Sequence, residues 1–305
     1  MTAASIYSLP LHLKGEIKVT KQRKFMGWIM ILPALILNIL VMGGPIVGTL
    51  AISLTNWDGM RPPKFIGLAN FQKLVGDSGF FWAVLNNIRW TVFFVTVPII
   101  FALIMAGILS KIKRGQMVYR VLFFLPYIAM SVVIAKMWSL IFNPFSGIAT
   151  VLEKIGIQAP MFLGDPDIAL YSVAFVDASR YWIFLMIMFL TAFFQLDKSL
   201  EEAATIDGAN RVQRFLYVVI PQIRPTLVTI ISLTFIWSFT AFDFVFLMTG
   251  GGPGNATELV STYMYRLAMS SHQPGYASAI SLVMVLFSAA YLLIMELLRK
   301  RGWEI

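Results

Sequence analysis

Residues 88–109 read IRWTVFFVTVPIIFALIMAGIL, and Arg89, at one edge, is the single charge among them. A helix needs about 20 consecutive, mostly apolar residues to cross the hydrocarbon core of a bilayer. Barrel strands would show ten-residue alternation, whereas this run is continuous. Five more stretches of the same kind flank it: Phe25–Leu54, Val121–Phe142, Ile168–Gln195, Thr226–Met248 and Tyr276–Leu298. The sequence therefore predicts an all-α membrane protein of six transmembrane helices. Composition agrees, since 58% of the 305 residues are apolar and 13% charged, against roughly 45–50% and 25% in soluble domains. A soluble enzyme, a disordered tail and a secreted disulfide scaffold are excluded together. The absence of cysteine removes disulfides, thiolate zinc sites and cysteine nucleophiles.

The net charge of +9 reports topology. Sixteen of the 24 basic residues fall in the tail before Phe25, the loops after the second and fourth spans, and the C-terminus. Six fall in the opposite loops, and Lys136 and Arg180 lie inside spans. By the positive-inside rule both termini are cytoplasmic. The expected division is a basic tail over 1–24, a six-span transmembrane domain over 25–299 and a cytoplasmic end over 300–305.

One cytoplasmic segment, Leu196–Pro225, carries helix signals of its own. Ser199 with Glu202 fits a capping box that opens a short helix through Ala203 and Ala204. Gly208 can break it. Asn210 with Gln213 marks a second start, followed by Val212, Phe215, Leu216 and Val219 on one apolar stripe. Pro221 and Pro225 are expected to end the segment. Pattern alone describes two short helices meeting at Gly208, either an interfacial connector or something with a partner.

As a string of residues, the loop resembles a family signature. Glu202-Ala203-Ala204, Asp207-Gly208-Ala209, Ile220-Pro221 and Pro225 are similar to the "EAA" motif of binding-protein-dependent ABC importer permeases. Phe65-Ile66-Gly67-Leu68-Ala69-Asn70-Phe71, Arg120 with Phe124-Leu125-Pro126, Phe162-Leu163-Gly164-Asp165-Pro166, and Thr249-Gly250-Gly251-Gly252-Pro253 with Thr257 and Tyr263-Met264-Tyr265 extend the likeness from about Phe25 to the end. They resemble the sugar-uptake branch, the maltose-type first permease. The outer loop Thr55–Asn87, about 33 residues, lacks room for a large inserted domain. That favours the shorter members, those for multiple sugars or glycerol phosphate.

The resemblance implies a type I ABC importer permease in a prokaryotic inner membrane, moving a sugar or oligosaccharide, with an acidic or phosphorylated one left open. Glu202, Ala203, Ala204, Asp207 and Gly208 would dock on an ATPase carried by another chain. No G-x-x-x-x-G-K-[ST] loop occurs here, so ATP hydrolysis, with its magnesium, is expected on that partner, and the resemblance implies a non-catalytic chain that binds no cofactor. The implied partners are a second homologous permease, two ATPase subunits, an extracytoplasmic solute-binding protein and the lipid bilayer, with no nucleic acid. A secondary transporter or channel is the rival reading; it should show coupling-ion acids in paired repeats.

Ionisable groups inside spans cost about 2.5–3.5 kcal/mol on insertion scales and are functional candidates by default. Asp177, Arg180, Tyr181 and Phe184 share one face of the fourth span, and Thr234, Trp237, Ser238 and Ala241 one face of the fifth. Hydroxyls and an aromatic suit a sugar; equally, Ser and Thr bridge neighbouring helices. By the resemblance these positions line the sugar path, with Asp177 and Arg180 either touching substrate or forming a structural pair. Lys136 can snorkel, meet an acid on the partner, or meet an anionic substrate. Asp243 is expected near the outer interface. His12 and His272 form no metal motif.

Overall fold

The structure is a computed structural model that describes residues 21–112 and 114–300. Most of the basic tail, Lys113 and residues 301–305 lie outside it, so the expectations placed there are untouched. Among the described residues the regular elements are helices, with one isolated antiparallel bridge between Thr55 and Phe65. Five stretches have the length and composition to cross a bilayer: Trp28–Ser53, Ser78–Leu109, Ala169–Phe194, Arg211–Met248 and Pro274–Leu297. Gln116–Ile128 and Ser131–Ile141 make a sixth if counted as one broken span.

The described residues divide into two units, one ending at Ala51 and the other beginning at Ile52. In the first, α1 (Lys21–Asn38) passes through a π-helical turn at Ile39–Gly43 into α2 (Gly44–Ser53). Leu32, Leu37, Leu40 and Val41 are all exposed. An apolar surface of this kind is satisfied by lipid rather than water.

The second unit is built on two long helices, α4 and α8. It begins with the short α3 (Ala69–Val75), followed by α4 (Ser78–Leu109). Next come α5 (Gln116–Ile128), α6 (Ser131–Ile141), α7 (Ile148–Lys154) and α8 (Ala169–Phe194). Ala102 and Ala106 of α4 are fully buried, and their small side chains let α8 approach closely. Phe94 of α4 and Met186, Phe189 and Leu190 of α8 fill the seam. Between lipid-embedded helices such contacts act through van der Waals packing, because lipid tails are as apolar as leucine. Of the five, α8 is the most enclosed, with 61% of its central window buried, which is why it can carry Asp177 and Arg180.

Two expected spans are broken. The stretch Val121–Phe142, read as one helix, is two helices bent by 87° at Ala129 and Met130, both extended at ψ 140°. Pro126, in the last turn of α5, has no amide to donate, which weakens that turn. The fifth stretch, expected as Thr226–Met248, starts earlier and breaks later. Its main helix α11 (Ile220–Phe239) gives way over Thr240–Phe242 to α12 (Asp243–Met248). The half-helices α6 and α12 that follow the two breaks pack on each other.

The loop side is tied by polar clamps. Asn86 donates to the carbonyls of Asn255 and Glu258 at 3.2 and 3.1 Å. Asn87, fully buried, donates to the Phe239 carbonyl at 3.3 Å and accepts from the Val260 amide at 3.2 Å. The clamp therefore joins α4 to the end of α11 and to α13 (Val260–Met269). Asp77, the N-cap of α4, accepts from Tyr263 at 2.7 Å and from Tyr276, on α14 (Pro274–Lys300), at 2.5 Å. Burial pushes the Asp77 carboxyl up, but these hydrogen bonds and the Phe80 amide outweigh it and hold it below the usual carboxylate range.

Candidate functional site

The segment between the fourth and fifth spans folds into α9 (Lys198–Ile206), a tight turn at Gly208, and α10 (Arg211–Arg214). The N-cap of α9 is Asp197, not Ser199: its carboxylate accepts from the Ser199 amide at 2.9 Å. An anionic acceptor two residues earlier captures the free amides and favours the positive helix end. The Ser199 hydroxyl and amide bonds hold Asp197 below the ordinary carboxylate range. At Gly208 φ is +81°, and a Cβ added there would meet nothing within 4 Å. Glycine is thus required by backbone conformation rather than space. The second capping box forms as the spacing predicts, Asn210 and Gln213 exchanging bonds of 2.9 Å.

The prolines do not end the segment. α10 runs through a π-helical turn, Phe215–Val219, into α11, with Pro221 in its first turn and Pro225 inside it. The wide turn comes just ahead of the residue that lacks an amide. The second short helix is therefore the projecting foot of the fifth span. Arg214 donates to the Thr205 hydroxyl and links the foot to α9. Glu202, Ala203, Asp207 and Gly208 are exposed and Ala204 half-buried, while Ile206 stands 86% exposed beside them.

The intramembrane candidates separate into two groups. Arg180 lies 3.8 Å from Asp177, with Asp177 buried and Arg180 half-buried. The guanidinium also reaches the Ala129 carbonyl at 3.5 Å and sits 5.3 and 5.9 Å from the Phe244 and Tyr127 rings. It thereby touches the break in α5–α6 and the start of α12 at once. A cavity of about 190 Å³ opens here, lined by Asp177, Arg180, Trp237, Thr240, Ala241, Phe242, Asp243 and Phe244. Tyr181 backs it, its ring 5.1 Å from Trp237, and Phe184 stacks 6.0 Å from Tyr127. Thr234 and Ser238 are fully buried and turn elsewhere: Thr234 pairs with Tyr181 at 3.3 Å and Ser238 donates to Thr91 at 3.1 Å. These two hydroxyls bridge helices.

A family profile described as "Binding-protein-dependent transport system inner membrane component" matches residues 98–303. The chain belongs to that family. Among relatives of this membrane component, the probable ABC transporter permease protein YurN of Bacillus subtilis is 31% identical over 94% of this chain and 100% of its own. The trehalose/maltose transport system permease protein MalF of Thermococcus litoralis is 29% identical, covering 88% of this chain and 92% of its own. The fold matches a chain from the crystal structure of a bacterial alginate ABC transporter in complex with an alginate pentasaccharide-bound periplasmic protein. The TM-score is 0.80 at 19% identity, over 92% of this chain and 96% of the other.

In this membrane component the structure gathers Asp177, Arg180, Trp237 and Ala241 on one cavity and adds four residues that the sequence did not single out as path-lining: Thr240, Phe242, Asp243 and Phe244. Asp243 opens α12 on the same cavity. Lys136 is exposed on α6 and does not line it. The signal that could have found the added residues is the Thr-Ala-Phe-Asp interruption of an otherwise apolar run.

Proposed function

We infer that this chain is one permease subunit of an ABC importer that moves a neutral sugar or oligosaccharide into the cytoplasm, driven by ATPases on other chains. The observation that carries the coupling part is the capped pair of helices hinged at Gly208 and presenting Glu202, Ala203 and Asp207 to solvent. Because α10 continues into α11, a push on the loop travels along the rigid fifth span toward Trp237 and the Thr240–Phe242 break. The basic bias of the loops supports placing this face in the cytoplasm, with both termini on the same side.

For the path, two span breaks meet beside Asp177 and Arg180. Irregular backbone at membrane depth is tolerated where protein buries it or where it lines a watery cavity. Relatives named for trehalose/maltose and for multiple sugars support a carbohydrate. One base stands against two acids around the cavity, which disfavours an anionic cargo on this half of the path and suits hydroxyl groups over the Trp237 ring. A second permease would supply the other half, and a solute-binding protein would deliver the sugar to the outer loops.

The test exploits the lack of native cysteine. Ala203→Cys is a single reporter and should crosslink to a co-purified ATPase, and should be shielded from a membrane-impermeant maleimide in right-side-out vesicles. Gly208→Asp should insert and assemble yet abolish substrate-stimulated ATP hydrolysis. No crosslink, together with normal coupling in Gly208→Asp, would refute the reading.

A further inference from the structure

A second, larger cavity of about 960 Å³ lies between the ends of α4 and α8 and the 196–225 loop, at the opposite end of α8 from the Asp177 cluster. Its wall changes character along its length. Ile100, Ile104 and Ile108 follow one another at i, i+4 and i+8 along α4, all exposed, and give way to Lys111 just past the helix end. From Ile100 to Lys111 the helix rise is about 16 Å. Across the gap, Arg211 and Arg214 line the same space from the foot of the fifth span, and Glu201 is the one acid among its lining residues. The Arg214 Nε is buried without a hydrogen-bond partner, although its Nη1 is engaged by Thr205. A buried guanidinium N–H in a basic cleft asks for an acceptor.

We propose that this cavity is a site for an anionic phospholipid of the leaflet on the loop's side. The phosphate sits among Lys111, Arg211 and Arg214, and an acyl chain lies along Ile100, Ile104 and Ile108. Basic pockets between transmembrane helices at the cytoplasmic side suit such headgroups. A free phosphate would leave the isoleucine wall uncovered, whereas a lipid covers wall and bases together. Lys111 directly follows the end of α4 while Arg211 and Arg214 belong to the loop, so the headgroup braces the loop against the second span. Coupling then depends on anionic lipid. That last consequence rests on the importer reading; the lipid site itself does not.

The experiment uses the assembled importer in phosphatidylcholine nanodiscs containing graded phosphatidylglycerol, with retained lipid counted by native mass spectrometry and sugar-stimulated ATP hydrolysis followed in parallel. Phosphatidylglycerol should be retained selectively, and stimulated hydrolysis should rise with its fraction. Lys111→Gln and Arg211→Gln should each weaken retention about fivefold. Ile104→Trp, which fills the groove and leaves every charge in place, should expel the lipid from a folded complex. Equal retention of both lipids, or displacement by inorganic phosphate with Ile104→Trp without effect, overturns the proposal. So does the absence of retained lipid from the assembled complex, which would make the second permease the occupant. Selective retention without any sugar-stimulated ATP hydrolysis would sink the importer reading and leave the site standing.

Discussion

Arg180 is the residue on which the intramembrane cluster turns, and its removal has a calculable cost. Arg180→Met keeps an unbranched apolar stem but deletes the charge that lies 3.8 Å from Asp177. Asp177 is 4% exposed, so its carboxylate is left buried without a counter-charge, which costs about 3–5 kcal/mol when one partner of a buried pair is removed. The Ala129 carbonyl at the span break also loses its 3.5 Å contact. Asp177→Asn is milder, because the guanidinium keeps Ala129, Tyr127 and Phe244. The double variant removes both charges and should recover about 0.5–3 kcal/mol relative to the sum of the singles, the range seen for directly coupled residues. Equilibrium unfolding of the assembled complex in SDS, with the four proteins of the cycle side by side, reads these differences. Additive effects, or an Arg180→Met protein as stable as the parent, would refute the structural pair. A double variant that folds as well as the parent but takes up no sugar would show that the same residues also serve the path.

Other expectations follow from the same geometry. Asn87→Ala leaves the Phe239 carbonyl and the Val260 amide unsatisfied in a buried site, at about 1–3 kcal/mol each; the loss should show as faster hydrogen exchange at the C-terminal end of α11 and the N-terminal end of α13. Gly275→Ala places a Cβ 2.4 Å from the Thr55 carbonyl, so backbone must shift, and a stability loss of about 1–3 kcal/mol is expected in the SDS assay. Asp77 has its folded pKa depressed, so its contribution is fully present above the unfolded value of 3.8 and fades as pH falls through the lower folded value. Thermal stability measured from pH 7 to pH 3 should therefore drop steeply at the acid end in the parent, and Asp77→Asn should start lower and lack that part of the drop.

The apolar runs announced membrane helices because hydrocarbon length is a hard physical constraint, and the Asn210–Gln213 box and the Gly208 turn were legible because each depends on residues three or fewer positions apart. The Asp197 cap was missed for a local reason: two acceptors competed and the anionic one won. The 87° break was not legible, since Ile128-Ala129-Met130-Ser131 is as apolar as its surroundings and the break is supported from another helix, by Arg180. The same limit applied to Thr234 and Ser238. A hydroxyl stripe has one pattern whether it faces a path or a neighbour, and Tyr181 and Thr91 decide it.

The central claim is that ATP on the side of the 196–225 loop drives sugar inward through this chain. The most direct measurement is uptake of labelled sugar into proteoliposomes holding this chain, its partner permease and ATPases, with the solute-binding protein outside. Uptake should require ATP trapped inside and stop when it is replaced by a non-hydrolysable analogue. Uptake that proceeds without ATP, or that follows an imposed proton or sodium gradient, would contradict it.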